Sequence, residues 1–422
     1  MDKPKIYFVP VNIGQIKYFE RVAELLEEHY SIGFLLVRYN DFLLKQMLEY
    51  CRQKNLYHYV ICLGFRKEKG IRIPFFSPIK KTLEHRKKCR EFLKKEQPSK
   101  LIFEKTGNPH SMIACEANAH GVETIRLQSA LLVGLAQNEL IYGPGGSTLQ
   151  SSLPAKIYFH ILHLIYRGIG HIDGPTSCLR QGRTVTPKKL GVIDELTLKR
   201  IIGQFNPEPK VIRIVGTLDV GQTYELKKRI TEDSQFRSEL LRKYGIDSKK
   251  INIVMLVLRF HNLLRADGST ITKDEQLAYY RNLVLDIRAV FSSEEATITF
   301  KIHPRETDDM RKLYEALGVI VHGNESHTNE LICLSNFCIT DPATAANYFV
   351  IASGIPALFV NFSPITGLNL AAEFFGTKEI VDRRERFLEL LKKFKEGTLE
   401  KQYDSAGMEV RAREKIIELI NL

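Results

Sequence analysis

Short apolar runs alternate along the chain with amphipathic stretches of helical period. Residues 6–9, 31–37, 57–63, 101–104 and 123–127 have the length and the aromatic and β-branched content of buried strands. Between them, residues 16–28 carry Phe19, Val22, Leu25 and Leu26 at helical spacing, and residues 41–52 read as a second helix. A further helix is expected from Pro109 to about residue 120, because proline suits a first helical turn and Gly121 suits a stop.

The same alternation restarts in the second half. Residues 211–215 read as a strand and 226–244 as a polar connector helix. The run INIVMLVLR at 251–259 is a strongly apolar strand, followed by a helix at 273–291 and a strand at 296–302 that leads into His303-Pro304. A helix at 308–317, a strand at 319–322, a short helix at 329–334 and a strand at 337–340 come next. The last of these runs into Asp341-Pro342, where a helix is expected to open and to continue to Gly354, before a strand at 356–360 and tail helices at 386–395 and 408–422.

Strands alternating with helices predict an α/β protein with parallel sheets. The expected organisation is two doubly wound domains, 1–170 and 249–385. Residues 171–248 form a linker with connector elements, and the helices of 386–422 pack back across the first domain. Ligands of such sheets bind at the carboxyl ends of the strands, so the strand ends of both domains are expected to face a shared cleft.

Composition narrows this picture only a little. The chain has 422 residues, 44% hydrophobic and 26% charged, which suits two globular domains and excludes a mainly disordered or collagen-like chain. No run approaches the roughly 18 apolar residues of a membrane span, and the first residues lack a signal-peptide core, so a cytoplasmic location is expected. The seven cysteines have no paired short spacings, which argues against a disulfide framework or a zinc site. The net charge of +12 admits nucleic acid, an anionic membrane surface or a phosphorylated substrate.

Three segments bear on that choice. Residues 80–95 hold Lys80, Lys81, Arg86, Lys87, Lys88, Arg90, Lys94 and Lys95 against Glu84 and Glu91. This is either a solvated helix face or a patch for anionic head groups; without interleaved aromatics, nucleic acid is disfavoured. Residues 154–169, apolar with Lys156 and Arg167 at the ends, read as a packing helix or an interfacial one. The glycines of 142–147 lack phosphate-loop and dinucleotide spacings and read as a linker.

Two motifs in the second half belong together: strand–His303-Pro304, and strand–Asp341-x-x-Thr344–helix ending in Gly354-x-Pro356. The pairing resembles the two-Rossmann GT-B glycosyltransferases of surface-polysaccharide synthesis, including polysialyltransferases and CDP-glycerol glycerophosphotransferases. It is also similar to the UDP-N-acetylglucosamine 2-epimerases, which share that fold.

The resemblance implies a nucleotide-sugar donor, UDP- or CMP-linked, bound without a metal or other cofactor. Arg259, His261, His303, Pro304, Asp341, Thr344, Ala345 and Asn347 would form the donor side. Helix N–H groups and cations there suit a diphosphate, and His303 suits protonation of the leaving phosphate. Asn12, Gly14, Asn108 and Gln128 would line the acceptor side, with His110 or Glu104 as the base that deprotonates an acceptor hydroxyl.

The departures are informative. Where the epimerases carry proton-shuttling acids, this chain has Gly107-Asn108 and Gln128-Ser129-Ala130, and amides cannot take a proton as carboxylates do. Their His-Arg-Glu element is reduced to His261-Asn262-Leu263, and Asn347 stands where a ribose-binding Glu is usual. The expected activity is therefore sugar transfer to a glycan or lipid-linked acceptor in capsule-type polysaccharide synthesis, in the cytoplasm or at the inner face of the membrane. The alternatives are an epimerase-like enzyme and a non-catalytic scaffold relative.

Overall fold

The computed structural model describes residues 3–38, 41–62, 76–106, 110–128, 185–202, 205, 207–261, 269–303, 306–323, 325–342, 344–362, 376–403 and 409–422. Asn108, Pro109, Pro304, the glycine-rich stretch 142–147, the expected helix 154–169 and the expected boundary at 170/171 lie outside these residues. The described chain divides into two compact units. One gathers residues up to 128, 185–217 and Arg411–Leu422; the other is Leu218–Val410.

In the first unit, β1 (Lys5–Val9), β2 (Ser31–Arg38), β3 (His58–Cys62), β4 (Lys100–Phe103), β5 (Glu123–Leu127), β6 (Lys189–Val192) and β7 (Val211–Ile214) form one sheet in the order β3-β2-β1-β4-β5-β6-β7. Every pairing is parallel. Among the described residues its helices are α1 (Ile13–Glu24), α2 (Asp41–Gln53), α3 (Phe76–Glu96), α4 (Ser111–Ala119) and α5 (Glu195–Ile201).

The second unit begins with α6 (Leu218–Glu232) and α7 (Ser234–Lys243), divided at Asp233, whose side chain accepts from the Phe236 N–H at 2.9 Å. Strands β8 (Ile251–Leu256), β9 (Ala296–Lys301), β10 (Ile320–His322), β11 (Phe337–Thr340), β12 (Ala357–Val360) and β13 (Ile380–Val381) pair in the order β10-β9-β8-β11-β12-β13, again all parallel. Its other helices are α8 (Lys273–Val290), α9 (Asp308–Glu315), α10 (Thr328–Leu334), α11 (Asn347–Ser353) and α12 (Arg384–Lys395). The chain closes with α13 (Ala412–Asn421), in the first unit.

Continuous burial explains the strands. Central strands of a parallel sheet are covered on both faces, and β8, β11 and β12 are buried almost without interruption. Gly354 ends α11 in the left-handed region at φ 70°, the Gly-x-Pro stop read from the sequence.

Three expectations are corrected. The span 171–248, expected as a linker with connector elements, belongs to the two units over its described residues: β6 and β7, the latter at the expected strand 211–215, extend the first sheet, and α6 and α7 open the second unit. Of the two tail helices, α12 packs into the core of the second unit through Phe387, Leu390 and Leu391, and only α13 belongs to the first. The basic helix α3 is partly a structural clamp, since Arg86 and Arg90 pair with the buried Glu116 of α4 at 2.5 and 2.7 Å. Among the described residues no helix is long and apolar enough to cross a membrane.

Candidate functional site

Each sheet reverses direction of winding once, and the reversal marks a crevice at the strand ends. In the second unit it falls between β8 and β11, in the first between β1 and β4.

At the second-unit crevice, β8 ends at Leu256 and the chain continues through Arg259 to His261. One face of α8 pins this loop. Tyr280 Oη accepts from the Leu258 N–H at 2.8 Å and donates to the Leu258 carbonyl at 3.1 Å. One turn earlier, Gln276 Oε1 accepts the N–H groups of Phe260 and His261 at 2.8 and 2.7 Å. The spacing of Gln276 and Tyr280 places both on one helix face. The helix start is itself fixed by a capping box between Thr272 and Glu275. Arg259 therefore sits between two residues tied to the same helix. Its Nε donates to His261 Nε2 at 3.1 Å.

His303 follows β9 and is half-buried, its carbonyl accepting from the Glu306 N–H at 2.9 Å. The Glu306 side chain is fully enclosed, accepts from Gln276 Nε2 at 2.9 Å, and lies 3.9 Å from His261 Nε2. Sequence reasoning singled out neither Gln276 nor Glu306. For Gln276 the available signal was a polar side chain at a core-facing helical position.

The segment after β11 differs from expectation. No helix opens at Pro342; Pro342, Ala345 and Ala346 lie in turns and α11 begins at Asn347. The N–H groups of Thr344, Asn347 and Tyr348 bond back to the carbonyls of Asp341, Thr344 and Ala345. The expected row of helix-end donors is thus largely consumed. Thr344 Oγ1 accepts from the Ala346 N–H at 3.3 Å and retains its own O–H as a donor, and Ala345 is exposed.

Asn347 is a second correction. It is completely buried; Thr340 Oγ1 donates to its Oδ1 at 2.5 Å and its Nδ2 donates to the Asp341 carbonyl at 2.9 Å. Both ends of the amide shape the turn, which removes it from ribose binding. Asp341 is buried, and the Tyr279 phenol is held above its ordinary range by its own burial and, less strongly, by the Asp341 charge.

In the first unit, Asn12 caps α1 by accepting the Gln15 N–H at 3.0 Å, with Gly14 packed beneath that oxygen. Glu104 and His110 follow β4 and both are buried, His110 fully. Burial pushes the His110 imidazole down to about 4, the Lys105 backbone opposing weakly. Its ring is completely enclosed in this conformation. Gln128 Oε1 faces the Ile193 N–H at 3.4 Å, bracing β6 against β5. Arg126 of β5, which the sequence reading passed over, donates from Nε to the Glu104 carbonyl at 3.0 Å and lies over the Phe205 ring. Burial lowers this guanidinium to about 10, with Glu104 opposing.

No protein-family model matches the chain, and no curated protein matches it in sequence. Solved structures do match in fold. The chain is similar to the UDP-GlcNAc 2-epimerase of Neisseria meningitidis bound to UDP-GlcNAc, at 12% identity and TM-score 0.54 over 99% of both chains. It is also similar to the UDP-GlcNAc 2-epimerase of Methanocaldococcus jannaschii, at 14% identity and TM-score 0.56 over 99% of both chains. A third likeness is to the glycotransferase of kitacinnamycin, at 9% identity and TM-score 0.50, over 100% of this chain and 95% of that one. At these identities the likeness speaks for the fold, which is that of the GT-B proteins, with two Rossmann-like α/β domains.

Proposed function

We propose that this chain is a glycosyltransferase that moves a sugar from a nucleotide-sugar donor, UDP- or CMP-linked, to a glycan or lipid-linked acceptor in polysaccharide synthesis. The observation that carries the reading is the tethered Arg259–His261 pair at the switch point of the second sheet, one strand from the Thr344 hydroxyl. A cation fixed at a strand end is suited to the negative charge that develops on a leaving phosphate.

In this reading the acceptor hydroxyl attacks the anomeric carbon, the bond from that carbon to the phosphate oxygen breaks, and the hydroxyl proton passes to a base. Arg259 and His303 take up the leaving group's charge. Glu104 is the better candidate for the base, since His110 is enclosed and only weakly basic. No metal is assigned a part. Transfer is favoured over epimerisation by Gln128, whose amide braces the sheet where the epimerase resemblance calls for a carboxylate. The protein would act in the cytoplasm and meet a lipid-linked acceptor at the inner face of the membrane.

The test is incubation with radiolabelled UDP- and CMP-sugars, with and without acceptor glycans. Label entering an acceptor, and lost in His303→Ala with the fold intact, is the expected result. Interconversion of free nucleotide sugar with no acceptor added would point to an epimerase instead.

A further inference from the structure

Gln276 is a side-chain amide with no exposure, on a helix that buries mostly apolar and aromatic groups. Its contacts decide which ring nitrogen of the histidine beside it carries the proton. Two backbone N–H groups, of Phe260 and His261, point at one atom of the amide. N–H groups only donate, so that atom is the oxygen. His261 Nδ1 lies 3.0 Å from the same oxygen, and an amide oxygen cannot donate, so Nδ1 carries the ring proton.

The other ring nitrogen gives the same answer independently. Arg259 Nε, which can only donate, lies 3.1 Å from His261 Nε2, so Nε2 presents a lone pair. The Glu306 carboxylate, at 3.9 Å, lies beyond hydrogen-bond reach of that nitrogen and leaves it to the arginine. Glu306 is occupied instead by Gln276 Nε2 at 2.9 Å and by the Thr307 N–H at 3.2 Å. Tyr314 Oη completes the amide's partners at 2.6 Å.

We propose that Gln276 is a positioning residue of the donor site: it holds His261 in the Nδ1–H tautomer, so that Nε2 accepts from Arg259 and fixes the guanidinium at the end of β8. This rests on the donor-site reading above and adds to it a division of labour. His261 orients the cation and does not itself donate to the phosphates. A guanidinium held in one orientation pairs phosphoryl oxygens through its planar fork, and fixing it beforehand removes an ordering cost from binding.

The test is side-chain 15N NMR of the labelled full-length chain at neutral pH. The His261 ring is identified through its own backbone amide, so the wild-type result needs no variant. The proposal predicts a protonated Nδ1 and a lone pair on Nε2. In Gln276→Met, of similar volume and without polar atoms, the ring should move to Nε2–H or to a rapid average. Affinity for UDP or CMP, whichever the wild type binds more tightly, should fall about tenfold, the scale of one charge-assisted hydrogen bond. An Nε2–H or averaged ring in the wild type overturns the proposal whatever the nucleotide result, and so does a ring unchanged in Gln276→Met. A wild type with the Nδ1–H ring that binds neither nucleotide overturns the donor-site reading, and the role assigned to Gln276 falls with it.

Discussion

Thr340, the last residue of β11, donates its hydroxyl to Asn347, the first residue of α11, across 2.5 Å. With the second bond from Asn347 to the Asp341 carbonyl, this ties the turn between strand and helix into one closed unit. Asn347→Ala leaves a hydroxyl and a carbonyl buried without that partner. It should destabilise the chain by about 2–3 kcal/mol, measured by urea unfolding. A residue that served only a ligand would show unchanged stability and a loss confined to binding.

His110 gives the first unit a pH signature. Its folded pKa, about 4, lies below the unfolded value of 6.5, so the unfolded chain binds a proton over that interval and the folded chain does not. Its contribution is fully present above pH 6.5 and is lost progressively as the pH falls towards 4, amounting to about 3 kcal/mol. His110→Phe should flatten the dependence of Tm on pH within that window. An equal slope in wild type and variant would show that the imidazole is not buried in its neutral form.

Glu116 is buried to 1% exposure and is held by Arg86 and Arg90, whose hydrogen bonds outweigh its desolvation and keep its pKa below the usual carboxylate range. Replacing both arginines by methionine strands a carboxylate in the interior. The double variant should lose about 3 kcal/mol of stability, and each single variant distinctly less. If α3 is instead a freely solvated basic face, the double variant will match wild type in chemical denaturation.

The C-terminal helix is seated on a glycine. A Cβ at Gly191 of β6 would lie 2.7 Å from Leu419 Cδ2 and 3.1 Å from both Leu127 and Val215. Gly191→Ala should cost about 1–3 kcal/mol by overpacking, and Leu419→Ala, at a fully buried position, about 3 kcal/mol by leaving a cavity. In a double-mutant cycle the two should be less than additive, because removing Cδ2 relieves the clash. Strict additivity would show that α13 does not rest on Gly191.

The course of the chain was readable where one kind of physics governed it. The fully buried strand Phe337–Thr340 announces itself as an apolar run between turn residues, and its bounds match the structure. Strand β6, KLGV, was not read: four residues with a lysine and a glycine carry no periodic signal, and the strand exists because β5 and β7 pair with it on either side. The helix expected at Pro342 failed for a related reason. Proline permits a first turn but does not require one, and the closed bonds of Asn347 fix the start of α11 at that residue.

The candidate site was legible at the level of strand ends, where His303, Arg259 and His261 fall. What could not be read is which side chains face one another across elements. The contact of Gln276 with a loop 15 and 16 residues earlier is a product of helix packing, and nothing in the local sequence encodes it.

The central claim is that the strand ends of the second unit hold the phosphates of a nucleotide. It is tested most directly by a thermal-shift panel of UDP, CDP, CMP, GDP and ADP on the wild type, Arg259→Ala and His303→Ala. A ligand bound only by the folded state raises Tm by mass action. UDP, CDP or CMP should stabilise the wild type, and both variants should lose the shift while still melting cooperatively. No shift with any nucleotide, or an equal shift in Arg259→Ala, would contradict it.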